Sequence, residues 1–184
     1  FHNELPITLE LGCGKGEYSV NLAVMYPERN FIGMDIKGAR LWKGCKMVQE
    51  MQLRNVAFIR SRVDYIEFFF GRNEIDEIWI TFPDPQPQSN RKRKRLTSPL
   101  FLNRYKKFLK REGIIHLKTD NSGLYEFTLD TIREQNHLPI YQSEDIYSLD
   151  EPHEATAIQT FYESKFRKDN IPIKYIEFKL NHES

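Results

Sequence analysis

Cysteine is scarce: Cys13 and Cys45 are the only two in 184 residues. Two isolated thiols make no disulfide framework, and no CxxC or Cys/His spacing suggests a zinc site. A reduced, cytoplasmic protein without a metal is expected. His153-Glu154 starts like a zinc-protease helix, but no second histidine follows four residues on. Long apolar runs are missing as well. None approaches the ~20 residues of a membrane-spanning helix, so no membrane partner is expected. No signal peptide is visible. The chain opens on Phe1 rather than Met, and a strand begins almost at once, so a native N-terminal segment is expected to precede it.

What is present suits one globular domain over residues 1–184. Hydrophobic residues make up 40% and charged residues 29%, which argues for a core and against disorder. The net charge of +1 hides an asymmetry. From Pro85 to Arg111 there are ten Lys/Arg and no Asp/Glu, whereas the remainder carries 17 basic and 26 acidic residues. A concentrated basic segment on an acidic body suggests a polyanion site; a merely solvated charge run fits the composition equally.

Apolar runs alternate with amphipathic stretches. Strands are expected at 7–11, 30–35, 56–59, 75–80 and 113–117, with helices at 17–26, 37–51, 64–70, 99–111 and 121–135 between and after them. Such alternation implies an α/β fold with a parallel sheet and right-handed crossovers. Pro83, Pro85 and Pro87 forbid regular structure after the fourth strand. In the tail, 138–146 and 173–180 are expected as strands that close the sheet in antiparallel fashion, with a helix over 157–168 between them.

Glu10-Leu11-Gly12-Cys13-Gly14-Lys15-Gly16 lies between the first strand and the first helix. Glycines there allow a tight turn and close approach of a ligand to the backbone. Asp35 ends the second strand, where a carboxylate can accept both ribose hydroxyls, and Asp64 follows the third. A dinucleotide fold wants G-x-G-x-x-G with diphosphate on the helix N-terminus. Here the spacing is G-x-G-x-G, and Glu10 would be awkward beside a diphosphate. It suits a ligand with a cationic amino-acid end. This is similar to the first motif of class I methyltransferases, whose cofactor is S-adenosyl-L-methionine. Asp35 as a plain strand end and Asp64 as a helix cap remain open at this point.

Thr81-Phe82-Pro83-Asp84-Pro85-Gln86-Pro87-Gln88 follows the fourth strand, and Arg91-Lys92-Arg93-Lys94-Arg95-Leu96 comes shortly after. Together with Thr119-Asp120-Asn121 and Tyr125, and with Thr160-Phe161-Tyr162-Glu163-Ser164-Lys165-Phe166, this resembles the bacterial tRNA (guanine-N7)-methyltransferase family. The resemblance spans essentially the whole chain. It implies a Rossmann-like class I methyltransferase fold: a mostly parallel seven-stranded sheet with an antiparallel C-terminal strand and helices on both faces. It further implies tRNA as the partner and the variable-loop guanine as target; a monomer or homodimer is expected. By resemblance, Glu10, Gly12, Gly14, Asp35, Asp64 and Asp84 lie at the cofactor, with Asp84 also catalytic. Asp120, Thr160 and Glu163 then contact the substrate nucleotide, and Gln88, Arg91, Lys92 and Arg93 serve the tRNA. The family's Trp and Lys are replaced by Gln86 and Gln88. On local grounds alone, Asp120-Asn121-Ser122 is also N-cap chemistry and Glu163 could pair with Arg167 at i, i+4.

Rival readings are an adenine amino-methyltransferase, a non-catalytic RNA-binding protein on the same fold, and a dehydrogenase. The first expects an Asn/Asp-Pro-Pro-aromatic loop where this chain has Pro83-Asp84-Pro85-Gln86.

Overall fold

A computed structural model describes residues 1–148 and 153–182. Its strands are β1 (Ile7–Leu11), β2 (Asn30–Asp35), β3 (Val56–Arg60), β4 (Ile75–Thr81), β5 (Leu109–Thr119), β6 (Leu138–Ser143) and β7 (Lys174–Lys179). The helices are α1 (Glu17–Met25), α2 (Gly38–Glu50), α3 (Pro99–Tyr105), α4 (Ser122–Glu134) and α5 (Phe161–Lys168). All seven strands form one sheet in the order β3-β2-β1-β4-β5-β7-β6. Strands β1 to β5 pair in parallel, and β7 lies antiparallel between β5 and β6. The expected mostly parallel sheet with a reversed C-terminal strand is therefore present. Strand order reverses between β1 and β4, so a crevice opens at their carboxyl ends, the usual ligand position in such sheets.

Alternation along each strand divides the core. Leu9, Leu11, Ile78, Ile80, Ile115, Leu117, Ile176 and Phe178 point to one face, which α3, α4 and the 3₁₀ helix Val63–Phe68 cover. Their sequence neighbours Glu10, Trp79, Thr81, Lys118 and Tyr175 face the other way. There α1 supplies Tyr18, Val20, Leu22 and Ala23, and the stretch before β7 supplies Ile146, Ala155 and Ile158. The α1 face carries the buried Glu10, Thr81, His116 and Lys118.

Three expected boundaries are corrected. The helix foreseen over 99–111 stops at Tyr105, and β5 already begins at Leu109. Phe101, Leu102, Tyr105, Phe108 and Leu109 are all buried, and their spacing matches a helical stripe. Sheet pairing wins because Leu109 sits opposite Ile75, and Ile75 N donates to Phe108 O at 3.1 Å. The helix foreseen over 157–168 begins only at Phe161, after a 3₁₀ turn at Glu154–Thr156. The strand foreseen to Ile146 ends at Ser143. Pro139 is tolerated because β6 is an edge strand, and a register shift falls between Pro139 and Tyr141.

Candidate active site

The glycine turn leaves β1 with Gly12, Gly14 and Gly16 at φ +73°, +58° and +74°. Side chains rarely adopt this conformation. At Gly12 and Gly14 an added Cβ would meet nothing within 4 Å, so open space lies directly over the backbone. The turn is held from below. Gly12 N and Cys13 N donate to Met34 O at 2.8 and 3.1 Å, and Gly14 N donates to Asp35 Oδ2 at 2.9 Å. The other Asp35 oxygen accepts Lys37 N at 2.7 Å. Asp35 thus braces the first and second crossover loops against each other.

Glu10 lies one residue before the end of β1 and points to the α1 face. Its carboxylate accepts Ser19 N at 3.0 Å, Ser19 Oγ at 2.5 Å and Thr81 Oγ1 at 2.7 Å. Burial nevertheless pushes this carboxyl up to about 7. Asp64 does not cap the 3₁₀ helix; it is paired with Arg62 at 3.1 Å.

The loop after β4 is strained at both ends. Phe82 and Gln86 have φ +48° and +45° and bracket Pro83-Asp84-Pro85. Non-glycine residues in this region cost roughly 1–3 kcal/mol each and persist only where their surroundings enforce them. The enforcers are visible. Phe82 N donates to Lys118 O at 2.9 Å, and Asp84 Oδ1 accepts Gln86 N at 3.0 Å. Arg95 Nε donates to Pro85 O at 3.0 Å and its Nη2 to Gln86 O at 3.3 Å. The guanidinium lies 4.4 Å from the Phe127 ring centroid, and Arg95 is buried. The last member of the basic run is therefore a brace for the loop. Arg91, Lys92, Arg93 and Lys94 are exposed on a 3₁₀ helix, Ser89–Lys94, that starts after Gln88.

Two adjoining clefts meet at Gly12, Arg40, Phe82, Pro83 and Asp84. The first, about 350 Å³, is lined by Glu10, Gly12, Gly14, Asp84, Asp120 and Thr160 among others. The second, about 450 Å³, adds Asp35, Asp64 and Gln86. Most of the residues singled out in the sequence thus converge on the carboxyl ends of β1, β2 and β4. Gln88, Arg91, Lys92 and Arg93 line neither cleft. Asp120 is not the cap of α4; Asn121 is, accepting Leu124 N at 2.8 Å, which leaves Asp120 on the cleft wall.

Glu163 lies outside both clefts. It is fully buried, 2.6 Å from Lys118 Nζ, and accepts the Tyr147 hydroxyl at 2.8 Å. The surface pairing with Arg167 is not formed; that guanidinium stacks 3.9 Å from the Tyr147 ring centroid. Thr160 and Glu163 also make a capping box at the start of α5. The T-x-x-E spacing signals such a box in sequence. Nothing local signals Lys118 or Arg95.

The lining fits a nucleoside with a cationic amino-acid end better than a dinucleotide. Backbone is bare at Gly12 and Gly14, and Asp35 and Asp64 border the second cleft. Glu17 opens α1, so a carboxylate stands at the helix end where a dinucleotide fold seats its diphosphate.

A family model described as "Putative methyltransferase" matches residues 4–176. The chain is 52% identical over 181 residues to the tRNA (guanine-N(7)-)-methyltransferase of Christiangramia forsetii, covering 98% of this chain and 81% of that protein. It is 47% identical over 184 residues to the protein of the same name in Bacteroides thetaiotaomicron, covering 100% and 72%. Among solved structures, the 16S rRNA methyltransferase KamB superposes with a TM-score of 0.71 at 12% identity, over 96% of this chain and 88% of that one. An antibiotic-related methyltransferase gives 0.68 at 17% identity, over 94% and 86%. At such identities the superpositions speak for the class I methyltransferase fold, and the sequence relatives speak for the family. The chain belongs to the tRNA (guanine-N(7)-)-methyltransferase family.

Proposed function

We propose that this protein methylates N7 of a guanine in tRNA, the variable-loop guanine, with S-adenosyl-L-methionine as methyl donor. One observation carries the reading beyond family membership: a strained, braced loop presents Asp84 into the same cleft as the bare glycine turn and Asp120. When bound, the donor supplies an electrophilic sulfonium methyl. Gly12 and Gly14 give it backbone access, Asp35 and Asp64 border its ribose side, and Glu10 backs its amino-acid end.

Guanine N7 carries a lone pair and no proton, so the protein needs no general base to create the nucleophile. Its task is placement and charge. Positive charge moves onto the purine during transfer, and carboxylates nearby stabilise it. Asp84 and Asp120 can accept the guanine N1–H and N2–H, a donor pair that adenine lacks. Thr160 lines the same cleft. Rigid placement of the base is worth several kcal/mol, up to about 7–11 in the best cases. In A-form RNA N7 faces a groove that side chains read poorly, so the target base must be displaced or lie in a loop. Arg91, Lys92 and Arg93 lie on the exposed turn that continues from the Asp84 loop and hold the flanking phosphates.

Incubation with labelled donor and unmodified tRNA transcript, followed by nucleoside analysis, is expected to yield 7-methylguanosine. Chain cleavage at the modified base is expected to map it to the variable loop. Recovery of N6-methyladenosine would instead favour the amino-methyltransferase. Asp84→Ala is expected to slow transfer by about 10²–10³-fold while donor binding persists; near-wild-type turnover would remove Asp84 from the chemistry.

A further inference from the structure

Residues 153–166 form a roof beside the acceptor side of the first cleft, to which they contribute Thr160 and Phe166. One buried side chain makes three polar contacts to the underside of this roof. Lys118, the penultimate residue of β5, is fully buried on the α1 face of the sheet. Its ammonium has three donors. They go to Ala155 O at 2.6 Å, the Glu163 carboxylate at 2.6 Å and Ile158 O at 3.4 Å. All three acceptors belong to a stretch of nine residues centred close to Thr160. The backbone carbonyl of the same lysine accepts Phe82 N–H and so holds the root of the Asp84 loop. One residue of β5 therefore ties both acceptor-side elements to the sheet. A second fastening lies on the outer side, where Glu17 Oε2 accepts Phe161 N at 3.1 Å.

We infer that Lys118 is a positioning residue for methyl transfer, its buried ammonium holding residues 155–163 as a preformed wall of the acceptor-base site. The inference rests on the proposed guanine methylation. An interior ammonium is an expensive way to stabilise a core, since apolar residues of similar volume often do as well or better. Burial itself pushes the Lys118 ammonium towards deprotonation, and the Glu163 carboxylate opposes that shift. Here the ammonium satisfies two backbone carbonyls and a helix-capping carboxylate in a segment that begins α5 late, at Phe161. A methionine at 118 could fill the volume but could not hold those carbonyls.

The test compares the full-length wild type, Glu163→Gln, and the double variant Lys118→Met/Glu163→Gln, which leaves no unpaired carboxylate in the interior. Three quantities are read: S-adenosylhomocysteine affinity, amide exchange across 153–166, and steady-state kinetics with tRNA. The double variant is expected to keep the wild-type affinity for S-adenosylhomocysteine. Relative to Glu163→Gln, its exchange across 155–163 should rise and its kcat/KM for tRNA should fall by about tenfold or more. Unchanged exchange and unchanged tRNA kinetics would overturn the inference. So would loss of S-adenosylhomocysteine binding, since Lys118 would then support the whole sheet rather than the roof. If the wild type made no 7-methylguanosine, the functional reading would fall by itself, while the exchange data would still report whether Lys118 holds the wall.

Discussion

At the scale of single residues, two carboxyl groups at the site live in opposite surroundings. Asp84 is exposed on a strained loop, whereas Glu10 is buried behind the glycine turn with Ser19 and Thr81 as its donors. Burial lifts Glu10 from its ordinary 4.5 to about 7, so between those values the folded protein holds a proton that the unfolded chain has released. Stability due to this group is then full below about pH 4.5 and falls as pH rises through about 7, by roughly 3 kcal/mol in all. Glu10→Gln is expected to flatten that limb of a denaturation series taken from pH 4.5 to 8. Parallel curves for variant and wild type would contradict the assignment.

At the scale of elements, the basic run divides into two parts with different work. Arg91, Lys92 and Arg93 are exposed on the 3₁₀ turn, while Arg95 folds back onto the carbonyls of Pro85 and Gln86. Replacing the first three together by alanine is expected to reduce the slope of log affinity for tRNA against log salt by about 2–3. Arg95→Ala is expected to leave that slope nearly unchanged and to lower kcat by about tenfold or more, because the Asp84 loop loses its brace. Salt titrations of tRNA binding separate the two; equal loss of slope in both variants would show Arg95 to be another phosphate ligand. The helix α5 shows the same principle. Its late start at Phe161 follows from the Thr160–Glu163 capping box and from the Lys118 bonds to the residues before it.

At the scale of the molecule, the α1 face of the sheet carries a polar network far along the strands from the clefts. Glu77 on β4 meets His116 on β5 at 2.9 Å, Trp79 Nε1 at 2.7 Å, Thr8 on β1 at 3.2 Å, and Arg29 before β2. Burial alone would raise the Glu77 carboxyl; the hydrogen bond and charge of His116, with Arg29 and Trp79, outweigh it and bring the group to about 2. The sign is opposite to that of Glu10. Stability from Glu77 is present above its ordinary 4.5 and lost as pH falls through about 2, and is worth roughly 3 kcal/mol. Glu77→Gln is expected to lower stability and to remove the acid limb of the pH profile. A variant as stable as wild type at pH 7 would show the network to be dispensable.

The sequence by itself determined the sheet of parallel strands, the glycine turn and the proline-bounded Asp84, because each rests on local features: short apolar runs buried on both faces, left-handed backbone, or restricted φ. It also placed Asp35, Asp64 and Asp120 at strand ends, and the topology then gathered them on one crevice. The end of α3 was not legible, since the apolar positions 101, 102, 105, 108 and 109 satisfy a helix as well as a helix followed by a strand. Only the tertiary structure decided the partners of long charged side chains. Lys118 meets Glu163 across 45 residues, and Arg95 turns inward while Arg91 to Lys94 face water. A charged residue on a strand or in a basic run carries no local mark of its partner. The partner is chosen where desolvation leaves an ammonium or guanidinium to the carbonyls and carboxylates that the fold brings beside it.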